Sequence, residues 1–321
     1  MKFRTEITIA PWSEKIEYGD KIVCLGSCFA SNIANKLKES KFDVVDNPVG
    51  ILFNPASIAN SVQLMATKAT ITQDDIFERN GRYVSFKFHS SLSGSTPAEA
   101  VKVMQDAINR GGEQLRNAKL IIVTLGSSYV WRYRDGEIVA NCHQMGAKNF
   151  SSELLSLEHI TDGLESIVSL TSAHILFTVS PVRHLNDGLE GNSLSKALLR
   201  VAIDEIIKRH PERTSYFPSY EIVMDDLRDY RFYDTDMLHP TSQAVEYIAN
   251  KFFAAALSNK AKDQQDKVIN IMQARHHRAL NPKSEAYKNF CRQQLDAIAE
   301  LEAIDFSEEK SYFEQMLQIN L

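Results

Sequence analysis

Three short stretches of the chain carry the residue types that acyl-transfer chemistry uses. The first is Lys21-Ile22-Val23-Cys24-Leu25-Gly26-Ser27-Cys28-Phe29-Ala30. A strand-like apolar run stops at a glycine, two small nucleophile-type side chains follow, and a helical pattern begins at once. The first turn of a helix offers unpaired N–H groups and a positive dipole end. That setting draws a thiol toward thiolate, and its N–H groups can hold an oxyanion. Either Ser27 or Cys28 suits the nucleophile's place. The plainer alternatives are a serine that only caps the helix and a cysteine that only fills core. A nucleophile needs a base, and the base an orienting group. The second stretch, Asp234-Thr235-Asp236-Met237-Leu238-His239-Pro240-Thr241, supplies that pair: Asp236 sits three residues before His239 and can hold one imidazole nitrogen while the other faces the nucleophile. In the third, Thr124-Leu125-Gly126-Ser127-Ser128-Tyr129, another apolar run ends at a glycine, and Gly126 N–H with the Ser128 side chain are candidate donors to an oxyanion.

Other polar residues carry weaker signals. Arg183-His184 follows a strand-like run and could line the pocket for an anionic group. Asn192 and Lys196 read as a helix cap plus an exposed lysine. His276-His277 and Asp225-Asp226 read as solvated faces, and Cys142-His143 as a packed turn. The four cysteines (Cys24, Cys28, Cys142, Cys291) include no C-x-x-C pair and no zinc-ligand set. No G-x-G-x-x-G or P-loop is present. The expectation is therefore an enzyme with no cofactor and no metal.

The elements that must position these groups follow from periodicity. Lys21 to Leu25, Leu120 to Leu125 and His174 to Ser180 are short apolar runs that read as buried strands. Phe29, Ile33 and Leu37 form a helical stripe directly after the first. Thr96-Pro97-Ala98-Glu99 has the form of a capping box with proline at the first helical position. Further helices are expected over Leu157 to Ile167, about Ser193 to Arg209, and after Pro240 through Val245, Ile248, Phe252 and Ala256. Strand alternating with helix implies parallel pairing with right-handed crossovers. The fold class is α/β: a three-layer, doubly wound, mostly parallel sheet with a helical C-terminal extension. Alternation near Tyr83 to His89 suggests an added edge strand or hairpin. The expected division is 1–260 for the α/β domain and 261–321 for the extension, which packs on the main body or on a second subunit to make a homo-oligomer.

Composition excludes other classes. The 321 residues are 44% hydrophobic and 24% charged, close to the soluble globular average and unlike disordered or fibrous chains. Thirty-six basic against 41 acidic residues give a net charge of −5 with no basic run, so no nucleic-acid partner is expected. No apolar run reaches the roughly 20 residues that span a bilayer, so no membrane partner is expected. The charged start Met1-Lys2-Phe3-Arg4 lacks a secretory apolar region, which places the protein in the cytoplasm as an expectation.

Taken together, the order of nucleophile, strand-end polar turn and late D-x-x-H resembles the SGNH (GDSL-type) hydrolases. Gly26-Ser27-Cys28-Phe29-Ala30 matches the name block of the GSCFA-domain family, which is grouped with them. Asn47-Pro48-Val49-Gly50-Ile51-Leu52-Phe53-Asn54-Pro55, Thr178-Val179-Ser180-Pro181-Val182 and Tyr216-Phe217-Pro218-Ser219-Tyr220-Glu221 look like the same family. The resemblance covers roughly residues 20 to 260 and implies an SGNH- or flavodoxin-like fold. It also implies a metal-independent hydrolase acting on an acyl ester, with a small-molecule or O-acetylated carbohydrate ester as substrate. A thiol-dependent acyltransferase or thioesterase, or a non-catalytic binding protein, is the alternative. Laid ungapped on the Gly-Asp-Ser block of those hydrolases, the nucleophile position is Cys28; a one-residue shift makes it Ser27. Asp236 and His239 match unaltered. Ser128 replaces the usual oxyanion asparagine, and Gly50 best corresponds to the glycine donor.

Overall fold

The computed structural model describes residues 4–134, 136–277 and 279–318. In chain order its elements are β1 (Lys21–Gly26), α1 (Cys28–Glu39), β2 (Asp43–Asp46), α2 (Pro55–Thr67), β3 (Phe77–Arg79), β4 (Arg82–Val84), α3 (Pro97–Asn117), β5 (Leu120–Leu125), β6 (Tyr129–Tyr133), β7 (Ile138–Val139), β8 (Phe150–Leu154), α4 (Leu157–Leu170) and β9 (His174–Val179). Then follow α5 (Gly188–Arg209), β10 (Thr214–Tyr216), the single turn α6 (Ser219–Glu221), α7 (Ser242–Ala256), α8 (Asn259–His276), α9 (Glu285–Ala299) and α10 (Ser307–Leu317).

Five strands form the central sheet in the order β10-β9-β5-β1-β2, and every neighbouring pair is parallel. Because side chains alternate across a strand, Ile22 and Cys24 of β1 face one layer while Val23 and Leu25 face the other. Both faces are buried, which is why these strands read as unbroken apolar runs rather than alternating ones. The chain runs from β1 outward to β2, then returns past β1 to β5, β9 and β10. A right-handed crossover taken in opposite directions puts the helices on opposite faces. Accordingly, α1 and α7 pack in one core cluster, and α2, α3, α4 and α5 in the other. The reversal lies between β1 and β5. Ligands of open α/β sheets bind at such a switch point, outside the strands' carboxyl ends.

The C-terminal helices pack on the main body. Val268 and Ile271 of α8, Cys291 of α9 and Phe313 of α10 are buried in the same cluster as Phe29, Leu37 and Phe252. The stretch near Tyr83 forms no edge of the main sheet. Instead β4 forms a two-stranded hairpin with β3, its Tyr83 also bridging Gly94, across a turn whose Asn80 and Gly81 both take positive φ, the backbone that a two-residue Asn-Gly hairpin needs. A third, antiparallel sheet, β7-β6-β8, is inserted after β5. At the start of α3, Thr96 Oγ1 accepts the Glu99 N–H at 3.2 Å. The Glu99 carboxylate, however, turns back to Ser95 N–H rather than to the cap, so the box is not reciprocal. Among the described residues no helix is long and apolar enough to cross a membrane.

Candidate functional site

The end of β1 is built around a glycine. Gly26 has φ +128, and a Cβ there would stand 2.1 Å from the Thr124 carbonyl oxygen of β5. Only a residue without a side chain lets the strands stay this close at that conformation. Asn47 fixes the other side: its Oδ1 accepts the Gly26 N–H at 2.8 Å, and its own N–H donates to Cys24 O at 2.8 Å. Ser27 N–H then donates to Thr124 O. The Ser27 hydroxyl is buried and accepts the Phe29 N–H at 3.3 Å, the ordinary geometry of a helix cap. Cys28, the first residue of α1, is only partly buried. Burial pushes its thiol pKa up. The N–H groups of Phe29 and of Cys28 itself act in the opposite direction, as does the Lys196 charge, while the Asp236 carboxylate adds to the rise. A thiol so placed is protonated at neutral pH and needs a base to become a nucleophile.

The residues from Asp234 to His239 form a tight turn, closed by Asp234 N–H to His239 O at 2.7 Å and Met237 N–H to Asp234 O at 2.8 Å. Asp236 holds it from inside. Its Oδ1 accepts the N–H groups of Leu238 (2.8 Å) and His239 (3.0 Å), and its Oδ2 lies 2.6 Å from His239 Nδ1. These bonds, the His239 N–H first, then the imidazole and the Leu238 N–H, lower the Asp236 pKa to about 2. An ionised carboxylate at Nδ1 requires the proton on that nitrogen. Nε2 is therefore the basic atom, and it has no hydrogen-bond partner among the described residues. Arg183 braces this turn. Its N–H donates to Leu238 O at 3.1 Å, and its guanidinium lies 3.9 Å from the Tyr233 ring centroid and 5.2 Å from that of Tyr230.

Beneath the cleft the structure departs from the sequence reading. Lys196 is not an exposed lysine but 2% exposed, and its ammonium donates to Gly126 O (2.6 Å), Ser180 O (2.8 Å) and Val182 O (3.0 Å). Asn192 is buried too, accepting the His184 N–H at 3.0 Å. His184 packs on Phe53, its Nε2 buried and unpartnered. Burial first, then the charges of Lys196 and His239, lower its pKa to about 4, so it is neutral at pH 7. Asp226, read as solvated, is buried and accepts from Tyr247 Oη and Ile7 N–H beside Arg4 and Lys251. His143 is indeed packed, its Nε2 2.8 Å from Ser85 O.

Three expected oxyanion donors are otherwise engaged. Gly50 N–H donates to Asn47 O at 2.7 Å within a turn, where φ +85 and the approach of His89 require glycine. Gly126 N–H donates to Phe53 O at 2.7 Å. Ser128 is fully buried and ties the end of β5 to α5, its hydroxyl donating to Ser195 O and its N–H to Ser195 Oγ. At the start of α1 the Cys28 N–H is the donor that remains beside the thiol, while the Phe29 N–H is shared with the Ser27 cap.

The switch point between β1 and β5 thus gathers a half-buried thiol, an Asp–His pair and a buried cation. Asp236 lies within electrostatic range of Cys28, His239 of His184, and Lys196 of both Cys28 and His184. A separate cavity of about 500 Å³, lined by Lys36, Glu246, Ile269 and His276, lies at the far end of α1 from Cys28.

A family profile described as "GSCFA family" matches residues 21–252, and one described as "GSCFA domain protein, C-terminal domain" matches residues 268–319. No curated protein matches the chain. Among solved structures, the chain is similar to the crystal structure of a carbohydrate esterase family 3 from Talaromyces cellulolyticus. The two are 8% identical, the match covers 79% of this chain and 98% of that one, and the TM-score is 0.34.

Proposed function

The chain belongs to the GSCFA family, and from the geometry of its cleft we propose that it is an acyl-ester hydrolase with Cys28 as nucleophile, His239 as base and Asp236 as the orienting carboxylate. One observation carries the reading. Of the two candidate nucleophiles the Cys28 thiol is the more exposed and feels the charge of the carboxylate that holds His239, whereas the Ser27 hydroxyl is buried and spent as a cap.

In the proposed reaction His239 Nε2 takes the Cys28 proton as the sulfur attacks the ester carbonyl carbon. The Cys28 N–H faces the developing oxyanion, and the Phe29 N–H, held at 3.3 Å by the Ser27 cap, would have to turn from it to join. When the tetrahedral intermediate collapses, the C–O bond breaks and the imidazolium returns its proton to the leaving alkoxide, leaving a thioester on Cys28. Water, deprotonated by the same nitrogen, then attacks the thioester. The C–S bond breaks, the carboxylic acid leaves, and the proton goes back to sulfur. Asp236 stays ionised throughout and stabilises the imidazolium. An O-acetylated carbohydrate is the substrate class to test first.

Short p-nitrophenyl esters and acetylated sugars, assayed with wild type, Cys28→Ala, Ser27→Gly and His239→Ala, test the proposal. Glycine is chosen at 27 because it caps a helix at a cost of only a few tenths of a kcal/mol. Turnover is expected to survive in Ser27→Gly and to vanish in the other two. Equal turnover in wild type and His239→Ala would mean that this cleft is no such site.

A further inference from the structure

Lys196 has no role in the reaction above, yet it is the most unusual group in the molecule: an ammonium with 2% exposure and no carboxylate bonded to it among the described residues. Buried lysines normally carry a paired anion. Here the partners are three main-chain carbonyls, Gly126 O beyond the end of β5, and Ser180 O and Val182 O beyond the end of β9. Parallel strands leave such carbonyls pointing out of their carboxyl ends. At this switch point their negative ends would face the place where a thiolate and an oxyanion must form. The groups around the ammonium are the Cys28 thiol from α1, the His184 ring from the loop after β9, and the Tyr220 ring of α6 at 5.9 Å. Asp236 and His239 reach it only through Cys28 and His184.

We infer that Lys196 is a positioning residue for the nucleophile: a cation locked under the cleft by three carbonyls, so that the first proton lost by the Lys196–Cys28 pair comes from sulfur. The inference deepens the proposed function and rests on it for its catalytic meaning, though not for its test. Burial, only partly offset by the Cys28 charge, draws Lys196 down to about 7, and burial pushes Cys28 up, which would favour a neutral amine under a neutral thiol. The hydrogen bonds oppose that outcome. An ammonium has three N–H donors and meets three acceptors; an amine has two and would turn a lone pair on the third oxygen. With all three acceptors in place, the geometry retains the proton on nitrogen. Lys196 thereby offsets the carbonyl ends and opposes the burial that holds the thiol protonated.

The test reads where the protons are, not turnover. On the full chain, thiolate absorbance near 240 nm, taken as the difference from Cys28→Ala, is followed with pH beside the ¹³Cε shift of labelled Lys196. Thiolate should appear while the lysine still shows its ammonium shift; an amine signal arising first, over a protonated thiol, overturns the inference. In Lys196→Met, confirmed folded by its thermal transition, the midpoint of Cys28 alkylation by iodoacetamide should rise by about one unit, or about tenfold in rate at fixed pH. An unmoved midpoint also overturns it. Should Lys196→Met fail to fold, the two wild-type signals alone decide. If both behave as expected but no ester is turned over, the proposed function falls and the role of Lys196 stands.

Discussion

Replacing Asp236 by asparagine separates the carboxylate's orienting role from its structural one. Asp236 accepts three hydrogen bonds: two from the N–H groups of Leu238 and His239 on Oδ1, and one from the imidazole on Oδ2. Asparagine can keep both main-chain bonds through its carbonyl oxygen, so the turn from Asp234 to His239 stays closed. Its amide NH₂ then faces Nδ1. That nitrogen must give up its proton to accept the bond, and the proton moves to Nε2, the atom that should receive the thiol's proton. The base is in place but in the wrong tautomer. The equivalent exchange in a Ser-His-Asp triad costs about 10⁴ in kcat, and a loss of about 10³–10⁴ is expected here. KM should be little changed, because the interaction matters in the transition state. The assay is steady-state hydrolysis of the best ester from the screen, with the thermal transition measured in parallel. Asp236→Asn should melt close to wild type, whereas Asp236→Ala, which loses the main-chain bonds as well, should melt lower. A kcat for Asp236→Asn within tenfold of wild type would refute the reasoning.

Three further outcomes follow from the same structure. The Asp236 ¹³Cγ signal should titrate near pH 2, well below the ordinary value of about 3.9. Because its folded pKa is depressed, the carboxylate's contribution to stability is present above the unfolded value and is lost as pH falls through the folded one. Gly26→Ala should lower stability by about 2–6 kcal/mol, from strain at positive φ and the clash with Thr124 O, measured by chemical denaturation. Phe313→Ala, in the fully buried core of α10, should cost about 3–5 kcal/mol and shift the single thermal transition of the whole chain. A separate low-temperature transition with the main one unmoved would mean that the C-terminal helices melt alone.

How much the sequence disclosed depended on the kind of signal. β1, β5 and β9 were legible because strands buried on both faces leave unbroken apolar runs, and α1 because Phe29, Ile33 and Leu37 keep helical spacing. The edge strands were not. Asp43–Asp46 and Thr214–Tyr216 are short and partly polar, since an edge strand is less enclosed. The β3–β4 hairpin left a readable mark in Asn80-Gly81, a turn pair that the alternation near Tyr83 obscured. At the site, Asp236 and His239 lie three residues apart and make their contact locally, so spacing alone suggested it. Gly126 and Ser128 depend on partners far along the chain and Gly50 on a turn closed three residues before it, and no local pattern tells a free N–H from an engaged one. Lys196 did leave a trace. Asn192, Ser195 and Lys196 continue, at helical spacing, the buried stripe of Leu199, Ile203 and Ile206. Polar residues on an apolar face belong to an interior that must satisfy them.

The most direct test of the proposed chemistry is to catch the intermediate. Wild type is mixed with p-nitrophenyl acetate, quenched in acid within the first turnovers and mapped by peptide mass. One acetyl group should be found on Cys28, absent from Cys28→Ala and strongly reduced in His239→Ala. Acetyl found instead on Ser27, or steady hydrolysis by Cys28→Ala at the wild-type rate, would contradict the account.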